Sequence, residues 1–137
     1  METGTSVLKV LVVEDQVAVA CCISFVLKQA GHKVDLADNG ANALEKIKAA
    51  PDAFDLIVTD NNMPRMNGTE LVREVRKLPY RGGIVVLSAY LVTETEQTYR
   101  SLGVRHFVHK PFELADFRAV IGKVAEELAG ESKCASA

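Results

Sequence analysis

The sequence predicts an α/β fold: a parallel sheet of five strands held between two layers of helices. Three observations predict it. Short aliphatic runs alternate with longer segments whose apolar residues recur at helical spacing, five of each. The runs are dominated by Val, Leu and Ile, as strands buried on both faces must be. With 137 residues there is room for one such domain and no second folded unit.

The elements follow in order. Leu8–Val13 is the first strand, broken only by Lys9. Gln16–Ala30 stays apolar over several turns and stops at Gly31, a helix C-terminal signal. Lys33–Ala37 alternates polar and apolar, Asp38-Asn39-Gly40 turns, and Ala41–Ala50 places Leu44 and Ile47 on one helical face before Pro51. Asp55–Thr59 is the third strand, and Asn61–Gly68, with Pro64 and Gly68, is a loop. Thr69–Leu78 carries Leu71, Val72, Val75 and Leu78 on one side and is closed by Pro79. Ile84–Leu87 is purely aliphatic. Thr93-Glu94-Thr95-Glu96 matches the capping-box pattern and predicts a helix to about Leu102, stopped by Gly103. In that helix only Tyr99 and Leu102 are strong core candidates, so it reads as an exposed, easily shifted element.

His106–Val108 is the fifth strand, and Glu113–Leu128 sets Leu114, Phe117, Ile121, Val124 and Leu128 on one core-facing stripe. Residues 1–6 read as a polar tail, 7–128 as the domain, and 129–137 as a frayed tail or truncated linker.

Composition narrows the function. Sixteen Lys+Arg against eighteen Asp+Glu give a net charge of −2, without the basic surplus of a nucleic-acid binder. The longest apolar run, Val17–Leu27, is eleven residues, against the ~20 that span a bilayer. Lys9 interrupts the first hydrophobic stretch, so no signal-peptide core is present. Three cysteines without a CxxC or Cys/His pattern fit a reducing, cytoplasmic setting. Cys21 and Cys22 read as small core residues, and His32 as a loop residue.

Right-handed crossovers bring every strand's carboxyl end to one edge of a parallel sheet, where open α/β sheets bind their ligands. At those ends stand Glu14 and Asp15, Asp60 and Asn62, Ser88, and Lys110 followed by Pro111. Singly, each is ordinarily a solvated strand end or a helix cap. Together, three carboxylates repel one another unless a cation joins them. An all-oxygen acidic site suits a hard cation that keeps part of its water, which favours Mg²⁺ over Ca²⁺. A lysine and a hydroxyl beside the metal suit a phosphoryl group, and a carboxylate can be the nucleophile that accepts it.

Four segments now carry a resemblance: Val12-Val13-Glu14-Asp15, Val58 to Gly68, Leu87-Ser88-Ala89, and Val108-His109-Lys110-Pro111-Phe112. In this order and spacing the sequence resembles the receiver domain of two-component response regulators, from about Leu8 to Leu128. The resemblance implies a flavodoxin-like (βα)₅ domain with strand order 2-1-3-4-5. It implies that Asp60 accepts a phosphoryl group from a histidine kinase or phosphotransfer protein. It gives Mg²⁺ to Glu14, Asp15, Asp60 and the backbone carbonyl of Asn62, makes Ser88 the switch hydroxyl, and makes the Lys110–Pro111 bond cis. Phe107 takes the aromatic switch position. Tyr90 takes a position that tunes dephosphorylation, where its ring could shield the acyl phosphate from water. Output then runs through the 93–128 face to a protein partner, as a monomer or a phosphorylation-dependent dimer, with no nucleic acid and no membrane.

Some positions depart from the family pattern. Glu14 stands where Asp is commoner, Asn67 where Asp is frequent, and Phe107 lacks a hydroxyl, so its ring can report only through packing. The rivals are a degenerate receiver that only binds partners, and an aspartate-nucleophile phosphatase. The second would want a general acid two residues after the nucleophile, where Asn62 stands. A flavin-binding flavodoxin would need a phosphate cradle after the first strand, where the acids lie. The chain therefore reads as a receiver, stand-alone or excised from a longer protein, and not as a turnover enzyme.

Overall fold

The computed structural model describes residues 7–63, 65–89 and 91–136, with side-chain surroundings through Ala129. Five strands alternate with five helices: β1 (Lys9–Val13), α1 (Val17–Gln29), β2 (Lys33–Ala37), α2 (Gly40–Ala49), β3 (Leu56–Asp60), α3 (Gly68–Arg76), β4 (Gly83–Ser88), α4 (Thr93–Ser101), β5 (His106–His109) and α5 (Leu114–Ser136). A single 3₁₀ turn, Pro51–Ala53, precedes β3. All strand pairs are parallel, in the order β2-β1-β3-β4-β5. This is the predicted doubly covered sheet.

The pleat divides the core in two. Leu11, Val13, Ile57, Val86 and their neighbours meet α2, α3 and α4 on one face. Val10, Val12, Val58, Val85 and Leu87 meet Ile23 and Leu27 of α1 and Phe117, Ile121 and Val124 of α5 on the other. Side chains alternate across a strand, so the middle positions of the central strands β1, β3 and β4 must be apolar on both faces to serve both layers, and polar residues such as Lys9, Asp60 and Ser88 fall at the strand ends. Edge strand β2 is under no such demand: Lys33, Asp35 and Leu36 are exposed, and charges there discourage a further strand from pairing.

Helices α1 and α4 end alike. Gly31 and Gly103 take left-handed φ values of +95° and +88°, which glycine adopts without a Cβ penalty. The following amides, of His32 and Val104, close back on Leu27 O and Tyr99 O at 3.0 Å each. This satisfies carbonyls that the helix ends would otherwise leave open.

Four expectations are corrected. Thr93 does not cap α4: the N-cap is Val92, which offers no side-chain acceptor, and Thr93 is the first helical residue. The cap appears one helix earlier, where Asn67 accepts from the Glu70 amide at 2.9 Å and Glu70 returns a bond to the Asn67 amide at 3.1 Å. Cys21 and Cys22 are exposed rather than core, because α1 turns Ala20, Ile23, Ser24 and Leu27 inward. Leu114 is 44% exposed, at the outer end of its stripe. The segment after Ala129 continues α5 as far as Ser136. Ala, Glu and Lys favour a helix there, and Gly130 alone does not break it. His32 does lie in a loop, but buried, its Nδ1 accepting the Leu8 amide at 3.0 Å.

Candidate functional site

Register assembles the site. Val13 pairs with Ala37 and Thr59, Asp60 with Leu87, and Ser88 with His109. The ladder continues one step past the strands, with Glu14 N on Ala37 O (3.0 Å), Asn61 N on Leu87 O (2.9 Å) and Lys110 N on Ser88 O (2.8 Å). Glu14, Asp60, Ser88 and Lys110 therefore arrive at one edge on backbone already fixed by the sheet. Glu14, Asp60 and Ser88 are buried and Asp15 is exposed at the rim.

Glu14, Asp15 and Asp60 each bring a carboxylate oxygen within 4.8 Å of the others. The Lys110 ammonium bridges two of them, donating to Glu14 Oε1 at 2.8 Å and lying 3.2 Å from Asp60 Oδ1. Burial pushes the Glu14 and Asp60 carboxyls above the ordinary range, and the bond from Lys110 offsets part of this. For Lys110 burial acts downward, but its bonds to Glu14 and Asp60 outweigh it and raise its affinity for the proton. One ammonium facing three carboxylates leaves negative charge over. Oxygen donors with no nitrogen or sulfur ligand among them fit a hard divalent cation such as Mg²⁺.

Asn62 lies two residues beyond Asp60 with its side chain exposed. Phe107 is half-buried on β5, edge-on to Tyr99 with ring centroids 6.0 Å apart, and the Arg100 guanidinium lies 5.0 Å above its ring. The Lys110–Pro111 peptide is cis. Tyr90 lies outside the described residues, so its shielding role is untouched by the geometry.

The sequence did not disclose how α4 is tied to this edge. Tyr99, fully buried on α4, donates its hydroxyl to Asn61 Oδ1, the side chain next to Asp60. Gly68, the first residue of α3, makes room for it. A Cβ there would overlap the Tyr99 hydroxyl and stand 2.8 Å from the Asp60 carbonyl. Tyr99 could be marked as core from its spacing, but the partner of its hydroxyl lies 38 positions away.

The chain has relatives among known proteins. Residues 10–122 match the family described as the response regulator receiver domain. The chain is 30% identical over 121 residues to the chemotaxis protein CheY of Treponema pallidum, covering 88% of this chain and 82% of that protein. It is 32% identical over 114 residues to the transcriptional regulatory protein DltR of Streptococcus agalactiae, covering 83% of this chain but spanning only 50% of that relative's length. Among solved structures, the chemotaxis response regulator CheY4 of Vibrio cholerae aligns with a TM-score of 0.79 at 31% identity, over 87% of this chain and 99% of that one. Since the family match runs from β1 into α5 and takes in every strand-end residue described above, the chain belongs to the response regulator receiver domain family.

Proposed function

We propose that this protein is a phosphoacceptor switch. Asp60 takes a phosphoryl group from a phosphohistidine of a histidine kinase or phosphotransfer protein, and the acyl phosphate alters the surface formed by residues 93–128. The observation that carries the reading is the buried Asp60 carboxylate at the end of β3, with an ammonium at 3.2 Å and two more carboxylates within 4.8 Å.

In the transfer, an Asp60 oxygen forms the new bond to phosphorus while the P–N bond breaks, its electron pair leaving on the imidazole. Lys110 neutralises charge on the phosphoryl oxygens, and the Ser88 hydroxyl donates to another of them. Glu14, Asp15, Asp60 and the Asn62 carbonyl would hold Mg²⁺, which when bound supplies the remaining positive charge. Phe107, without a hydroxyl, reports occupancy by moving against Tyr99 and Arg100. Tyr90 shields the acyl phosphate, so Tyr90→Ala should shorten its half-life. The output partner is a protein, met as a monomer or a phosphorylation-dependent dimer. Among the described residues no helix is long and apolar enough to cross a membrane.

The test is labelling by acetyl phosphate, with beryllofluoride as the stable mimic. Labelling should require Mg²⁺ and be abolished by Asp60→Asn. Undiminished labelling of Asp60→Asn would overturn the assignment, and no labelling of the wild-type chain would favour a pure interaction module. Steady turnover of a phosphomonoester would favour the phosphatase.

A further inference from the structure

At the opposite edge of the sheet, under the amino ends of β4 and β5, four arginines line one cavity of about 440 Å³. Arg76 is the last residue of α3, Arg81 lies in the α3–β4 loop, Arg100 is on α4 and Arg105 immediately precedes β5. The gathering runs against the chain's net charge of −2. Chance would not be expected to place a quarter of its sixteen basic residues around one opening.

Carboxylates do not use up this charge. Arg100 bonds Glu96 at 2.9 Å, on its own helix. Arg105 lies 3.7 Å from Glu127, whose carboxylate is taken at 2.9 Å by His106. Arg76 is spent on a neutral group, donating Nε to Leu102 O at 2.6 Å, which fixes its guanidinium against Gly103 without a carboxylate partner. Arg81 forms no ion pair among the described residues. Glu127 is the one carboxylate on the cavity wall.

We infer that this cavity is a second ligand site, separate from the acid edge, that takes a small ligand carrying two or more phosphate groups. Guanidinium suits that chemistry, since its planar fork makes paired hydrogen bonds to phosphate oxygens and it is weakly hydrated. Gly82, Gly83 and Gly103 line the same cavity, and their amides serve as reporters for it. A cavity of this size accepts a molecule as large as a nucleotide. A single orthophosphate would engage only part of the cluster. An acidic peptide lacks the forked oxygens that the arginines match.

Titration of the ¹⁵N-labelled protein with inorganic pyrophosphate tests the site. Amides of Gly82, Gly83 and Gly103 should shift together, in the wild type and equally in Asp60→Asn. Arg81→Ala with Arg105→Ala, both at exposed positions, should weaken binding at least tenfold while the remaining amide spectrum stays as in wild type. ADP binding more tightly than pyrophosphate would identify a nucleotide as the source of the phosphates. Equal affinities would identify free polyphosphate. The inference is overturned by shifts confined to Asp60 and Lys110, by no shift at all, or by hexaglutamate binding more tightly than pyrophosphate. Retained affinity in the double variant would overturn it as well.

Discussion

Helices α3 and α4 have the same length, nine residues each, and both abut the acid site, yet they are secured by different means. The α3 helix begins in a reciprocal capping box and buries Gly68, Leu71, Val72 and Val75. The α4 helix begins at Val92 without a side-chain acceptor and buries Tyr99 alone. One is fixed by caps and area; the other hangs on one aromatic side chain and that residue's bond to Asn61. Local opening is easiest where few apolar contacts would be lost. The consequence is a difference in ease of opening: α3 is held at its start and along its buried face, and α4 is the one of the two that opens at lower cost.

The largest effects should come from removing each helix's anchor. Leu71→Ala empties a fully buried site and should cost about 2–5 kcal/mol of global stability, read as a lower urea midpoint. Truncating a large buried aromatic ordinarily costs about 3–5 kcal/mol. Tyr99→Ala should cost less than that, because α4 can detach once local opening becomes cheaper than holding the cavity. Amides of α4 should then lose nearly all hydrogen-exchange protection while those of α3 keep theirs. A uniform drop in protection across both helices would show that they open as one unit and would break the comparison.

Caps give the next effect. Asn67→Ala removes the acceptor for the Glu70 amide and should cost about 1 kcal/mol. Val92 already has the extended backbone of an N-cap, φ −72° and ψ 155°, and is 41% exposed. Val92→Asp should therefore add up to about 1 kcal/mol and raise exchange protection in α4 specifically. No gain in α4 would mean that its start is limited by something other than the missing acceptor.

The same contrast explains what could be read from the sequence. The strands were legible because burial on both faces forces Val58, Val85 and their neighbours to be uniformly aliphatic. The acid site was legible because parallel topology turns "residue after the strand" into a position in space, and Glu14, Asp60, Ser88 and Lys110 all stand there. The outward face of α1 was not legible. Val17–Leu27 is apolar on nearly all sides, so periodicity could not tell Ile23 from Cys22 or Phe25. Nor was the reciprocal bond that Glu70 returns to Asn67 at the start of α3, since only backbone placement distinguishes that start from Thr93. Long-range polar bonds such as Tyr99 to Asn61 and Leu8 to His32 leave no local signature.

The smallest effect concerns the residues that follow the two glycine-terminated helices. After α4 the chain buries Val104; after α1 it buries His32, a titratable group in the equivalent place. Burial lowers the His32 pKa from its ordinary 6.5, and its Nδ1 must stay unprotonated to accept the Leu8 amide. With the folded value below the unfolded one, this group's contribution is fully present above pH 6.5. It is lost as pH falls from there toward the folded value, because only the unfolded chain takes up the proton. Glu14 and Asp60, with raised values, act with the opposite sign in the acid range. The measurement must therefore be a difference. Urea midpoints taken at about pH 7.5 and 5.5, a span chosen to bracket the usual histidine range, should fall further in the wild type than in His32→Gln. Exchange protection should drop around Leu8 and the end of α1, with the α3–α4 contrast unchanged. If α4 loosened first, its single anchor would be pH-sensitive too, and the two helix ends would differ in more than the residue they bury.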